Sequence, residues 1–353
     1  MSGGVDSSCA AAILKESGYD VIGVTFKMWP KEECGELSGK ACCSLESIVR
    51  ARSVAESLKI PYYVLDLSRE FREEVIAYFV REYQRGATPN PCVVCNEKIK
   101  FGYLLDRAKR LGADRIATGH YAKVERDPKS KRFILKEAKD RRYDQSYFLF
   151  RLKQDQLSHC IFPLENMTKA QSRRKALKLK LITGNAKSSQ DICFAQEDGY
   201  EAYLLKKMLI RSEPGDIVDT GGRKLGVHKG IPFYTVGQRR GLGIAYREPL
   251  YVLKIDAGNN RIIVGTKEDT MKRSIIVGEV NWISVEGIGR AMDVEAKIRY
   301  AHAKAPAVIT KISERKVRLD FNSRQEAPTP GQAAVFYRQK TVVGGGWIKE
   351  VIG

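Results

Sequence analysis

Met1-Ser2-Gly3-Gly4-Val5-Asp6-Ser7 opens the chain and runs into residues 7–16, whose Cys9, Ala10, Ala11, Ala12, Ile13 and Leu14 have helical composition. Gly18 just beyond is a natural turn residue for a helix C-terminus. Glycines let backbone amides face a ligand with no Cβ in the way. The helix N-terminus adds unpaired N–H groups and positive potential, and the serines add hydroxyl donors. Together they suit a phosphate or pyrophosphate; the plainer alternative is a glycine turn that merely caps a helix. The loop is not a lysine-bearing P-loop, because no G-x-x-x-x-G-K-[ST] occurs, and Ser38-Gly39-Lys40-Ala41 fails in spacing and in its last residue.

Working outward, residues 20–26 read as a buried strand, and residues 45–58 as a helix with Ile48, Val49, Val54, Ala55 and Leu58 inward. A strand over 62–67 and helices over 70–83 and 97–111 follow, then a strand over 114–118 ending at Gly119-His120. Repeated β–α segments predict a parallel sheet covered by helices. Past residue 126 the pattern loosens into a hairpin near 131–136 and the apolar run Tyr147-Phe148-Leu149-Phe150. Thr168 reads as the N-cap of a basic helix over 169–181. Its Arg173, Arg174, Lys175, Lys178 and Lys180 suit either a solvated face or a phosphate-contacting one. Beyond residue 199, glycine turns and short strands take over. Strands over 292–300, 307–312 and 316–321 predict a small β-barrel or sandwich.

The 353 residues are 43% hydrophobic and 29% charged, enough apolar material to exclude a disordered chain or a fibre. No run approaches the ~20 apolar residues of a membrane-spanning helix, and the N-terminus lacks the pattern of a signal peptide. A reducing cytoplasm is therefore expected, where eight cysteines point to thiol chemistry or metal binding more than to a disulfide framework. Against 42 Asp and Glu stand 61 Lys and Arg, a net charge of +19. That surplus fits a solvated lysine-rich surface or a polyanionic partner such as nucleic acid.

The second constellation is Thr88-Pro89-Asn90-Pro91-Cys92-Val93-Val94-Cys95-Asn96-Glu97-Lys98-Ile99-Lys100-Phe101. Two prolines stiffen the approach. Cys95 falls just before a predicted helix, where backbone donors and the dipole favour a thiolate. Cys193 lies far along, in Ser189-Gln190-Asp191-Ile192-Cys193-Phe194. Taken singly, each of these cysteines reads more readily as a small buried hydrophobe than as a catalyst. A zinc site would need a second C-x-x-C or a Cys/His pair at finger spacing, and the sequence has neither.

Ser2-Gly3-Gly4-Val5-Asp6-Ser7 resembles the pyrophosphate-binding loop of ATP pyrophosphatases. With the two cysteine blocks it is similar to the tRNA-specific 2-thiouridylase (MnmA) family. Further matching blocks are Phe26-Lys27-Met28-Trp29, Ala117-Thr118-Gly119-His120-Tyr121, Asp144-Gln145-Ser146-Tyr147-Phe148-Leu149, Gly226-Val227-His228-Lys229-Gly230, Tyr234-Thr235-Val236-Gly237-Gln238-Arg239-Arg240-Gly241-Leu242 and Pro330-Gly331-Gln332-Ala333-Ala334-Val335-Phe336-Tyr337. The resemblance covers essentially the whole chain.

It implies an α/β fold: a Rossmann-like, adenine nucleotide alpha hydrolase-like parallel sheet over 1–198, a small linking domain over 199–272 and a tRNA-contacting C-terminal β-barrel over 273–353. ATP, with Mg²⁺, is expected on Ser2, Gly3, Gly4, Val5, Asp6 and Ser7, bordered by Met28 and Gly119; Asp6 would orient either the metal or the loop. Catalysis is expected from Cys95 and Cys193, with sulfur carried as a Cys193 persulfide and a disulfide formed between the two. Asn90, Pro91 and Cys92 would face the target base, and His120, Tyr143, Asp144, Gln145, Arg299, Tyr300 and Gln332 the tRNA. Tyr143 stands where the family leads one to expect a basic residue.

Many members carry Asp where Cys92 stands. Cys92, Cys95 and Cys193 together would suit a [4Fe–4S] cluster with one open iron, an alternative to the persulfide route. The expected partners are a tRNA with a modifiable wobble uridine and a persulfide donor, either a cysteine desulfurase or a sulfur-relay protein. A monomer is expected, with no membrane. In ATP pyrophosphatases a buried strand leads into the loop, whereas only Met1 precedes Ser2; a chain starting at Met1 is expected to lack that strand. The rival readings are another adenylating ATP pyrophosphatase and a catalytically inactive RNA-binding relative.

Overall fold

Gly4, in extended conformation (φ −93°, ψ 165°), turns the chain into helix α1, Val5–Glu16, which buries Cys9, Ala10, Ala12 and Leu14. These coordinates belong to a computed structural model that describes residues 1–28, 45–181, 193–194 and 213–352. The chain divides into two units. One comprises Met1–Val75, Cys92–Tyr200 and Lys340–Val342; the other comprises Ile76–Pro91, Glu201–Gln339 and Val343–Gly353.

In the first unit, strand β1 (Gly23–Lys27) runs parallel to β2 (Tyr62–Asp66), with Gly23 opposite Tyr62. Helix α2, Leu45–Ser57, packs on both. It turns Ser47, Ala51, Val54 and Ala55 inward, whereas Val49, expected inside, is 66% exposed. Positions 47, 51, 54 and 55 share one face at 3.6 residues per turn, and 49 lies off it. Helix α3, Ser68–Phe71, passes through a π-helical turn, Arg72–Ile76, into α4, Ala77–Gln84.

A further helical run begins at α5 (Pro91–Val94), widens to a π-helix over Cys95–Tyr103 and ends in α6, Leu104–Arg110. It starts six residues before the predicted 97, because Pro91 suits a first helical position, where its missing N–H costs nothing. Cys95 therefore lies inside the helix, and Cys92 in its first turn.

Strand β3 is only Ile116–Ala117, shorter than the 114–118 expected. Strands β4 (Lys123–Arg126) and β5 (Phe133–Lys136) form the antiparallel hairpin, and β6, Cys160–Ile161, follows helix α7, Gln154–Ser158. β3 pairs in parallel with β6, so among the described residues of the first unit the parallel strands form two separate pairs, β1–β2 and β3–β6. Thr168 caps α8, Lys169–Lys178, with its hydroxyl accepting from the Gln171 N–H at 3.3 Å and the Gln171 side chain returning to the Thr168 N–H.

The second unit holds a four-stranded sheet ordered β8-β7-β10-β9, made of β7 (Gly215–Val218), β8 (Lys224–His228), β9 (Tyr251–Asp256) and β10 (Arg261–Gly265). Ile217, Val252, Ile262 and Val264 fill its core. The remaining strands are β11 (Met271–Trp282), β12 (Ala291–Lys297), β13 (Ala305–Ser313), β14 (Lys316–Glu326), β15 (Ala333–Arg338) and β16 (Thr341–Ile352). They are ordered β11-β14-β13-β12-β15-β16, and pairing of β11 with β16 closes a six-stranded barrel around Ile275, Ile309, Leu319 and Phe336. Closure removes the exposed edges an open sheet would present. Among the described residues no helix is long and apolar enough to cross a membrane.

Candidate active site

Gly3 has φ +66°, and a Cβ placed there would lie 2.5 Å from the Ser47 carbonyl oxygen, so the turn into α1 requires glycine. The Ser2 N–H donates to Ser7 Oγ at 3.1 Å, and the Ser7 and Ser8 hydroxyls donate to the Gly4 carbonyl at 3.1 and 2.9 Å. These bonds fix the loop. The N-cap Gly4 makes no side-chain cap bond to α1, and an uncapped helix N-terminus of this kind suits an anion. Gly119 is seated on this turn: a Cβ on it would lie 2.7 Å from both the Asp6 carbonyl carbon and the Ser7 nitrogen. Met28, just past β1, is buried.

Asp6 does not point out alone. Its carboxylate accepts from the Tyr121 hydroxyl at 2.8 Å and from Lys169 Nζ at 2.5 Å. Lys169 is 7% exposed, between the rings of Tyr121 and Tyr143 at 5.8 and 5.7 Å. The Tyr121 oxygen also lies 3.0 Å from Ser172 Oγ on α8, and burial raises its pKa far above the usual phenol value. Both oxygens of Asp6 are thus engaged within the protein. Sequence reasoning missed Tyr121 and Lys169 as site residues. The signal for Lys169 was its position just after the N-cap, where the helix dipole disfavours a cation unless a carboxylate meets it.

Cys95 is buried and Cys92 half-buried on the helix that opens at Pro91. The π-helical register leaves carbonyls of this helix to outside donors. Gln156 Nε2 donates to the Glu97 and Phe101 carbonyls at 3.0 and 2.8 Å, and the Asn96 amide donates to the Phe148 carbonyl at 3.1 Å. Glu97 and Arg151, both nearly buried, form a two-pronged ion pair at 3.0 and 3.1 Å. Cys193 is half-buried; the ring of its neighbour Phe194 meets Phe71 edge-on at 6.1 Å, and Phe71 belongs to α3, which packs against the Cys95–Tyr103 segment. Residues 189–192, Trp29, Cys34, Cys42 and Cys43 lie outside the described residues. Among those described, no three His, Cys, Asp or Glu side chains stand together as a metal-holding group, Cys92, Cys95 and Cys193 included.

His120 Nδ1 is 2.8 Å from Thr118 Oγ1, and its ring lies against Phe101 and Phe162, each 6.1 Å away. Burial, and then the Lys100 ammonium, hold its pKa well below the usual imidazole value. It is therefore neutral at physiological pH. Asp144 is buried, accepting from the Ala138 N–H at 3.0 Å and the Ser146 hydroxyl at 2.7 Å; burial pushes its pKa up to about 6. Gln145 clasps the backbone of Tyr121 through its side-chain oxygen at 3.0 Å and its own N–H at 2.8 Å.

In the second unit, Asn90 is buried. Arg299 Nη2 donates to the Glu326 and Ala327 carbonyls, and Lys297 stands over the Tyr300 ring at 5.3 Å. Gln332 Nε2 donates to the Thr88 and Pro89 carbonyls at 3.2 and 3.3 Å, a contact sequence reasoning also missed.

Residues 1–197 match the family described as tRNA methyl transferase HUP domain; 202–266 match its PRC-barrel domain, and 272–348 the aminomethyltransferase beta-barrel domain. A protein of Thermoanaerobacter sp. named tRNA-specific 2-thiouridylase MnmA 2 is 48% identical over 350 residues, 99% of this chain and 96% of its own length. The chain belongs to the MnmA family. MnmA proteins of Clostridioides difficile (44%, covering 99% of this chain and 97% of the relative) and Clostridium perfringens (45%, 100% and 98%) match across the same span. The MnmA fold is thus present throughout: a HUP domain of Rossmann type, a small middle domain and a six-stranded barrel. The first family description speaks of methyl transfer, while the full-length relatives are named for thiolation.

Proposed function

We propose that this chain catalyses ATP-dependent 2-thiolation of the wobble uridine of tRNA. The observation that carries the reading is the Ser2–Ser7 turn, at a helix N-terminus with no side-chain cap, seated against Gly119 in the same unit as Cys95 and Cys193. The names of the full-length relatives supply the reaction class.

The first step needs a cradle for polyphosphate, and the loop and helix N-terminus provide one. The uridine C2 oxygen attacks the α-phosphorus and pyrophosphate leaves. The terminal sulfur of a Cys193 persulfide, loaded by a cysteine desulfurase or a sulfur-relay protein, attacks C2, and AMP departs with the old oxygen. Cys95 then attacks Cys193 Sγ, the bond to the transferred sulfur breaks, and 2-thiouridine is freed with a Cys95–Cys193 disulfide that an external thiol reduces. In the variant route, Cys95 forms that disulfide first and frees the sulfur as hydrogen sulfide, which attacks C2.

Asn90, Pro91 and Cys92 are proposed to face the base, and His120, Tyr143, Arg299 and Tyr300 the tRNA. Asp144 and Gln145 act by shaping their loop, since internal hydrogen bonds occupy them. Magnesium would accompany ATP. Asp6, held by Lys169 and Tyr121, is proposed to orient the loop. The three cysteines do not assemble a metal-holding group, so no step is routed through an iron–sulfur cluster either. The domains implied by sequence, 1–198, 199–272 and 273–353, and a cytoplasmic setting complete the proposal.

The test is nucleoside mass spectrometry of tRNA after incubation with ATP and a persulfide donor, with iron and sulfide analysis of the same preparation. Appearance of 2-thiouridine, lost in Cys95→Ala and Cys193→Ala while tRNA-dependent ATP–pyrophosphate exchange persists, is expected. Full thiolation by Cys193→Ala would overturn the sulfur route.

A further inference from the structure

The segment Thr88-Pro89-Asn90-Pro91 lies in neither a strand nor a helix until Pro91, and its two prolines offer no N–H. It contributes few donors of its own, and two of its carbonyls are met by a donor from elsewhere in the chain. The loop Thr329-Pro330-Gly331-Gln332 supplies that donor. Gln332 Nε2 donates to both the Thr88 and Pro89 carbonyls, at 3.2 and 3.3 Å, and the Thr88 N–H donates to the Pro330 carbonyl at 2.8 Å. Gly331 permits the approach: with φ +89°, a Cβ there would lie 2.8 Å from the Thr88 oxygen and 2.9 Å from its nitrogen.

The clasp is itself tied to the barrel. Gly331 N–H donates to the Ile348 carbonyl and Ile348 N–H to the Gln332 carbonyl, both at 2.9 Å, so the loop is pinned to β16. The amide nitrogen of Gln332 thus donates to chain carbonyls. From this geometry we infer that Gln332 is a positioning residue: it sets the course of the segment that delivers Asn90 and the start of the Cys92-bearing helix. The inference rests on the proposed thiolation for its kinetic consequence, not for the clasp.

The test compares Gln332→Ala, the isosteric Gln332→Glu and the donor-retaining Gln332→Lys. If Gln332 positions the segment, Gln332→Ala and Gln332→Glu lower kcat for thiolation roughly tenfold to a hundredfold, as expected for a misplaced reacting group. The KM for tRNA stays within about twofold, and Gln332→Lys partly restores kcat because it can still donate. A direct tRNA contact would instead raise KM with kcat intact, and that result would overturn the inference. Hydrogen–deuterium exchange at the Thr88 amide provides an arm independent of activity, with amides of the barrel strands as the control for folding: faster exchange at Thr88 and not in the barrel is expected in Gln332→Ala, and exchange at Thr88 that is unchanged, or that rises only together with the barrel, overturns the clasp. If the wild-type protein itself fails to thiolate, the functional reading falls, and the exchange measurement still decides the clasp.

Discussion

Lys169 Nζ lies 2.5 Å from Asp6 Oδ2, tying the first residue of α8 to the first turn of α1 across 163 positions of sequence. Without it, a carboxylate would sit beneath the turn proposed to receive polyphosphate. Lys169 neutralises that charge, and Tyr121 fixes its orientation.

Lys169→Met is therefore expected to weaken ATP binding specifically. An uncompensated carboxylate about 8 Å from a phosphate costs ~2 kcal/mol at an effective dielectric of ~20, so the KM for ATP should rise roughly thirtyfold. Asp6→Asn in the same chain should restore most of it. ATP titration of pyrophosphate exchange in the single and double variants checks this, and an unchanged KM in Lys169→Met would refute the neutralising role.

Gly119→Ala forces a methyl group to within 2.7 Å of the Asp6–Ser7 peptide. The loop must shift, and an activity loss on the order of a hundredfold is expected with only a modest change in thermal midpoint. Exchange kinetics and a melting curve on one sample separate the two effects.

Arg151→Met leaves Glu97 charged and unpaired in a nearly buried position and should cost about 3–5 kcal/mol of stability. Replacing both by Met should cost markedly less, because no buried charge is then stranded. Denaturant unfolding of the three variants tests this; equal losses in single and double variants would show that packing, not charge, is at stake.

Stability should carry a signature of Asp144. Its folded pKa of about 6 lies above the roughly 3.9 of an exposed aspartate. Between those values the native state binds the extra proton, so this contribution is fully present below about pH 4 and is lost as pH rises through 6. The change is on the order of 3 kcal/mol, and Asp144→Asn should flatten it. Unfolding free energies measured across that range, for both proteins, provide the check.

The opening loop, the helix after it and the order of elements were legible in the chain, because those signals are local. Glycines before an alanine-rich run, a Thr168 cap followed by Gln171, and alternating strands near the C-terminus each write their geometry into a few neighbouring residues. The two cysteine blocks were legible for the same reason. Helix boundaries were less so: the run through Cys95 begins at Pro91 and turns π-helical, and that register depends on Gln156 and Arg151 holding it from more than fifty positions away. Only the tertiary structure decided the partners of Asp6, the burial of Asp144 and the hold of Gln332 on Thr88 and Pro89. A side chain's charge and hydrogen-bonding capacity are written in its identity. What they are spent on depends on contacts between segments distant in the chain, and those arise only when the packed fold removes water from between them.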